Sequence, residues 1–164
     1  MCQVNDKYKF TGLTKTEGET ILHQIEALKD LGMVRKGDAG GWIEKEGNLS
    51  FDGNAWVYGD ARVSGDARVY GNAWVYGDAR VYGGQWEKSP LYIQGTKYSV
   101  CMCCPSTLKI GCKTHTIGQW LRHGERIARL EKFAPEEISE YRAYVELAAK
   151  LYPEENQDVS DNRI

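Results

Sequence analysis

Residues 54–83 read as five hexads without insertion, NAWVYG, DARVSG, DARVYG, NAWVYG and DARVYG. An uninterrupted short period of this kind restricts the chain to an architecture in which each repeat stacks on its neighbours. In every hexad an Ala (55, 61, 67, 73, 79) and the Val two residues later (57, 63, 69, 75, 81) form the only small apolar pair. Side chains alternate along a strand, so Ala and Val point inward together and the Trp or Arg between them points out. The Gly that closes each hexad and the Asp or Asn that follows suit a tight turn. A flat sheet of hairpins does not need a turn every six residues. A three-sided parallel coil does, with three hexads making one coil of 18 residues.

Residues 18 apart should then stack on one face at the strand spacing of about 4.8 Å. Trp56 is expected against Trp74, Tyr58 against Tyr76, and Arg62 against Arg80. Arg68 and Tyr70 belong to the next face, with Trp86 and Lys88 above them if the register survives Gly83-Gly84. Upstream, Val34, Gly40-Gly41-Trp42-Ile43 and Gly47-Asn48-Leu49 have the look of degenerate rungs. Downstream, Ile93 falls twelve residues after Val81, again in register.

These hexads resemble the hexapeptide-repeat, left-handed β-helix superfamily. The leader from DKYKFTG through LGMVRKGDAGGWIEKEGNLSFDGNAWV is similar to uncharacterised bacterial and phage members described as transferase-like or polymer-forming, and the likeness runs over roughly residues 5–115. The resemblance implies a mainly β chain built as a left-handed parallel β-helix, and the residues of the C-terminal third add a C-terminal two-helix cap to that expectation. It also implies homotrimers packed face to face around a three-fold axis, and two possible activities. One is acyl transfer from a coenzyme thioester with a His as general base. The other, by analogy with small phage proteins that counter host nucleotide signalling, is sequestration of a ligand.

The expected organisation is an N-terminal strand or cap segment over residues 1–33, the β-helix over 34–95, a strand and helical cap over 96–152, and a disordered tail over 153–164. Residues 19–31 admit helical spacing (Ile21, Leu22, Ile25, Leu28) or strand alternation (Ile21, His23, Ile25), and a strand entering the first coil is preferred. An open last coil is a sheet edge that needs covering. TLKIGC reads as a strand. Thr116 is placed to N-cap a helix bearing Trp120, Leu121, Ile127 and Leu130, and Pro135 to open a second at its first position. Ile138, Tyr141, Val145, Ala148 and Leu151 give that second helix one apolar face.

Composition narrows the function classes only a little. Eighteen Gly in 164 residues match the repeat, and a formal charge of −2 supplies no global field for nucleic acid. No apolar run approaches a membrane span and the first residues lack a signal-peptide layout, so a cytoplasmic protein is expected. Between residues 97 and 132, seven Lys or Arg face two Glu. This local basic stretch suits an anion, although charged helices are more often simply solvated faces.

Cys101, Cys103, Cys104, Cys112 and His115 could supply a zinc site, but their spacing is poor. On a strand, Cys101 and Cys103 share a face and Cys104 takes the other; buried thiols are the preferred reading. No metal or cofactor is expected. His23, His115 and His123 are the only histidines. None lies in the regular rungs, which leaves His115 as the one candidate base for acyl transfer. The outward residues are more informative, because a coil core needs Val and Ala but not Trp or Arg outside. Arg62, Arg68, Arg80, Trp56, Trp74, Tyr58, Tyr70 and Tyr76 combine the aromatic rings and guanidinium forks that anchor interfaces and hold nucleotides. The preferred function is therefore a non-enzymatic homo-oligomer, a trimer, binding a small anionic ligand such as a nucleotide between subunits. An acyltransferase and a purely structural assembly protein remain as alternatives.

Overall fold

The computed structural model describes residues 4–153. In chain order its elements are β1 (Tyr8–Glu17), β2 (Thr20–Ala27), β3 (Ala39–Ile43), β4 (Trp56–Val57), β5 (Arg62–Val63), β6 (Arg68–Val69), β7 (Trp74–Val75), β8 (Arg80–Val81), β9 (Gln85–Trp86), β10 (Tyr92–Gln94), β11 (Ser99–Cys104), β12 (Thr107–Ile110), β13 (Lys113–Thr116), α1 (Ile117–Leu130) and α2 (Pro135–Leu151). Strand thus outweighs helix among the described residues, and the two α-helices stand at the C-terminal end.

From β3 to β9 the backbone visits three parallel stacks in turn. The first is β3-β5-β8, the second β4-β7 and the third β6-β9, with Leu49 bridged to Val69 below the third. Trp56 pairs with Trp74 and Arg62 with Arg80, as the period requires. All five Ala and all five Val of the hexads are at most 1% exposed, so the inward assignment holds along the whole repeat. The irregular first coil is also recovered, since Trp42 pairs with Arg62 and Ile43 with Val63. Buried Asn48 closes it by donating to the carbonyls of Gly65 (3.2 Å) and Ala67 (2.8 Å).

Three expectations fail at the ends of the coil. Val34 is no rung; it forms an antiparallel bridge with Leu31. Trp86 lies beside Val69, not above Arg68, because the last coil is one residue short. A pleat of period two sends a shifted residue to the opposite face, so Trp86 turns inward and is 6% exposed. Ile93 does not continue the parallel stack, because β10 pairs antiparallel with β11 and begins the meander β10-β11-β12-β13. That meander closes the coil: the amides of Tyr82 and Gly83 donate to the Cys103 carbonyl at 3.0 and 3.3 Å.

At the other end, residues 19–31 do hold a strand, but it belongs to a hairpin. β1 and β2 are antiparallel, and β2 then pairs antiparallel with β3. In the helical cap, the Thr116 hydroxyl accepts from the Gln119 amide at 3.1 Å, and Pro135 opens α2. Tyr141, Val145 and Ala148 are buried, whereas Leu151, Leu121 and Leu130 are exposed. The expected disordered tail lies outside the described residues apart from Pro153. No described helix is long and apolar enough to cross a membrane.

Candidate functional site

The hexads present their outward residues as columns. On the first face Trp42, Arg62 and Arg80 rise one above another, because their strands pair in that register. The β1-β2 hairpin lies against this column. Lys15 and Glu17 share one side of β1, and the Lys15 ammonium sits 4.1 Å from the Trp42 ring and 3.5 Å from the Asp60 carboxylate. One Glu17 oxygen forms ion pairs with both arginines, 3.0 Å from Arg62 Nη1 and 2.5 Å from Arg80 Nη1. The two guanidiniums therefore form a fork for a single carboxylate, and the chain supplies that carboxylate itself. Arg62 Nε is buried without a partner among the described residues.

Arg68 stands on a different face from this pair, exposed, and makes no ion pair among the described residues. Tyr70, at the corner after it, is half-buried. The structure thus brings together two of the three candidate arginines and separates the third.

The aromatic ladder needs a correction. Trp56 points away from the Ala and Val core as its position demands, yet it is 0% exposed. The N-terminal segment covers it, with the Tyr8 ring edge-on at 6.5 Å. Gly40 makes the cover possible, since a Cβ there would come within 2.8 Å of the Trp56 ring. Trp74, one coil on, is half-buried. Tyr58 and Tyr76 remain open at 49% and 53% exposure, and Tyr92 extends the column 6.4 Å from Tyr76.

His115 belongs to the cap, on β13, where the Trp120 ring meets it edge-on at 4.9 Å. It lines a groove of about 160 Å³ together with His123 and Arg126. None of the coil arginines reaches this groove. Cys101 and Cys103 are buried in β11, Cys104 is half-buried and Cys112 exposed, so the expectation of buried thiols holds for two of these four. The bulge between Met102 and Cys104 and the covering of both faces of β11 override the simple alternation. Burial pushes the thiols of Cys101 and Cys104 up to about 11, which leaves them protonated and unreactive at neutral pH.

Sequence reasoning missed Glu17 and Lys15. Their signal was the run of alternating Thr and charged residues ending in Gly18-Glu19, which is a hairpin with a two-residue turn.

Comparison with known proteins concerns the coil. A family model described as the YdcK beta solenoid repeat matches residues 61–77 and 73–88. A relative from Escherichia coli (strain K12), named "Uncharacterized acetyltransferase YdcK", is 44% identical over 43 residues. That match covers 26% of this chain and 13% of the relative's length. Residues 61–88 contain no His and no Cys. The coil built by residues 61–88 is a β-solenoid of hexapeptide repeats, similar to the repeat of YdcK.

Proposed function

We propose that this chain is a non-enzymatic, homo-oligomeric binding protein, a trimer built on a left-handed β-helix, that holds a small anionic ligand such as a nucleotide between subunits. The observation that carries this reading is the Arg62-Arg80 fork, which already binds one anionic oxygen and stands one corner away from the open column of Tyr58 and Tyr76. A phosphate presents the same kind of oxygen to such a fork, and a base stacks on an aromatic ring. Exposed aromatic rings are also what an interface between copies would cover. Trp56 drops out of the site because it is buried. Trp74, Tyr70 and Arg68 remain as surface residues that a neighbouring subunit would bring into range.

Under this reading Glu17 competes with the ligand. Calorimetry against a panel of nucleotides should find binding by the wild type, roughly tenfold or greater weakening in Arg80→Ala and Arg68→Ala, and tighter binding in Glu17→Gln. The acyltransferase reading is favoured by the name of the YdcK relative and by the place of His115 in a groove. It requires thiol release from acetyl-coenzyme A that disappears in His115→Ala. His115-dependent thiol release without nucleotide binding would replace the binding function by that enzyme.

A further inference from the structure

The basic stretch of residues 97–132 plays no part in the solenoid site, and the structure places three of its seven basic residues, Lys113, Arg122 and Arg126, along two grooves flanking α1. The first, of about 160 Å³, runs between α1 and α2 over a floor that includes Trp120, Phe133, Ile138, Tyr141 and Val145. The second, also about 160 Å³, holds His115, His123 and Arg126. Ile127, Lys113 and Glu131 line both. The partition between them is the Lys113-Glu131 ion pair, 3.0 Å long with both side chains nearly half exposed, and such pairs open cheaply.

Two features of α1 make the first groove a slot for a guest. Gly124 sits in the helix interior, where glycine costs about 1 kcal/mol relative to alanine. Its backbone does not require glycine, because the nearest atom to an added Cβ is the Trp120 ring at an ordinary 3.5 Å. The missing side chain keeps the slot open. Ala128, one turn on, lines it as well. A dry apolar cavity of roughly this size, about 150 Å³, takes up a benzene ring.

The charges select the guest's polar end. Lys113, Arg122 and Arg142 line the first groove against Glu125 and Glu131, and Arg126, with Lys113 and Glu131 again, lines the second just across the partition. Lys113 is paired with Glu131 and Arg142 with Glu146. Among the described residues Arg122 and Arg126 make no ion pair, and at four residues apart they are neighbours on the helix surface. We propose that the cap binds an amphiphilic carboxylate, its ring-sized apolar body in the slot between α1 and α2 and its carboxylate on Arg122 and Arg126. This site is independent of the solenoid site.

The test is calorimetry of the full chain with 4-phenylbutyrate and with 4-phenyl-1-butanol, which share a body and differ in the head. The carboxylate should bind, and the alcohol at least about fivefold more weakly, as expected for loss of charge-assisted hydrogen bonds. Arg122→Gln with Arg126→Gln should bring the carboxylate down to the level of the alcohol. Gly124→Leu should fill the slot and abolish binding of both, while melting at or above the wild-type temperature because helix propensity rises. Ala128→Leu provides a second filling variant should the first distort α1. Equal binding of the two probes, no binding at millimolar concentration, or binding that survives both filling variants would overturn the proposal. A change of oligomeric state in Gly124→Leu with neither probe bound would make the slot a contact between copies, and the proposal would be wrong.

Discussion

Trp86 pairs with Val69 seventeen residues earlier, one fewer than the eighteen that separate Trp56 from Trp74 and Arg62 from Arg80. At the full period Glu87 would stand over Val69 and aim a carboxylate into the core, a costly burial. The missing residue replaces that charge with an indole. The indole nitrogen donates to the Gly83 carbonyl at 2.8 Å, and the ring meets Tyr152 edge-on at 6.3 Å. Gly84 makes the shortened corner at φ 86, where a Cβ would run into the Pro105 ring.

Trp86 is therefore the plug of the coil. Trp86→Ala is expected to cost about 3–5 kcal/mol of unfolding free energy, as large-to-small changes of buried aromatics do. Urea denaturation measures it. A loss under 1 kcal/mol would place the indole outside the core.

Gly40 lets the N-terminal hairpin close over Trp56. A Cβ at this position would lie 2.6 Å from Ile25 and 2.8 Å from the Val57 carbonyl. Gly40→Ala should destabilise by about 1–3 kcal/mol through overpacking. It should also raise the solvent accessibility of a tryptophan, measured by acrylamide quenching. An unchanged melting temperature and quenching would contradict the close approach.

Lys7 is buried at the bottom of the coil, its ammonium donating to the carbonyls of Ser50 at 2.9 Å and Asp52 at 3.4 Å. Burial, with the Lys29 charge adding to it and Asp52 opposing, pulls its pKa down to about 8 from 10.5. Between these two values the unfolded chain binds more protons at this residue than the folded one, so its contribution to stability grows as pH rises. The thiols of Cys101 and Cys104, raised from 9.0 to about 11, act in the opposite sense between those values. Comparison with Lys7→Met isolates the lysine. The stability of the wild type relative to Lys7→Met should rise from pH 8 to 10.5, and a flat or falling difference would show that Lys7 is not desolvated.

The repeat was legible because each hexad states the same inward pair and the same turn, so every Ala and Val assignment and the Trp56-Trp74 and Arg62-Arg80 pairs follow from one period. What the period could not carry lay at the ends. Trp86 turned in because a one-residue deletion inverts a pleat, although an inward Glu87 was the clue. Ile93 kept the count but not the strand direction, since an antiparallel meander takes over at β10. Trp56 points outward as the period requires, but Tyr8, nearly fifty residues away in sequence, covers it. The candidate site was half legible for the same reason. The stacking of Arg62 on Arg80 is local to the repeat, while their partner Glu17 arrives from a separate hairpin.

Native mass spectrometry of the freshly purified full chain, beside sedimentation at tens of micromolar, tests the central claim of an oligomeric anion-binding solenoid most directly. The expected result is a trimer carrying a co-purified anionic ligand, with Tyr58→Ser plus Tyr76→Ser weakening the association, because aromatic anchors carry much of an interface's energy. A ligand-free monomer that the double substitution leaves unchanged would contradict it.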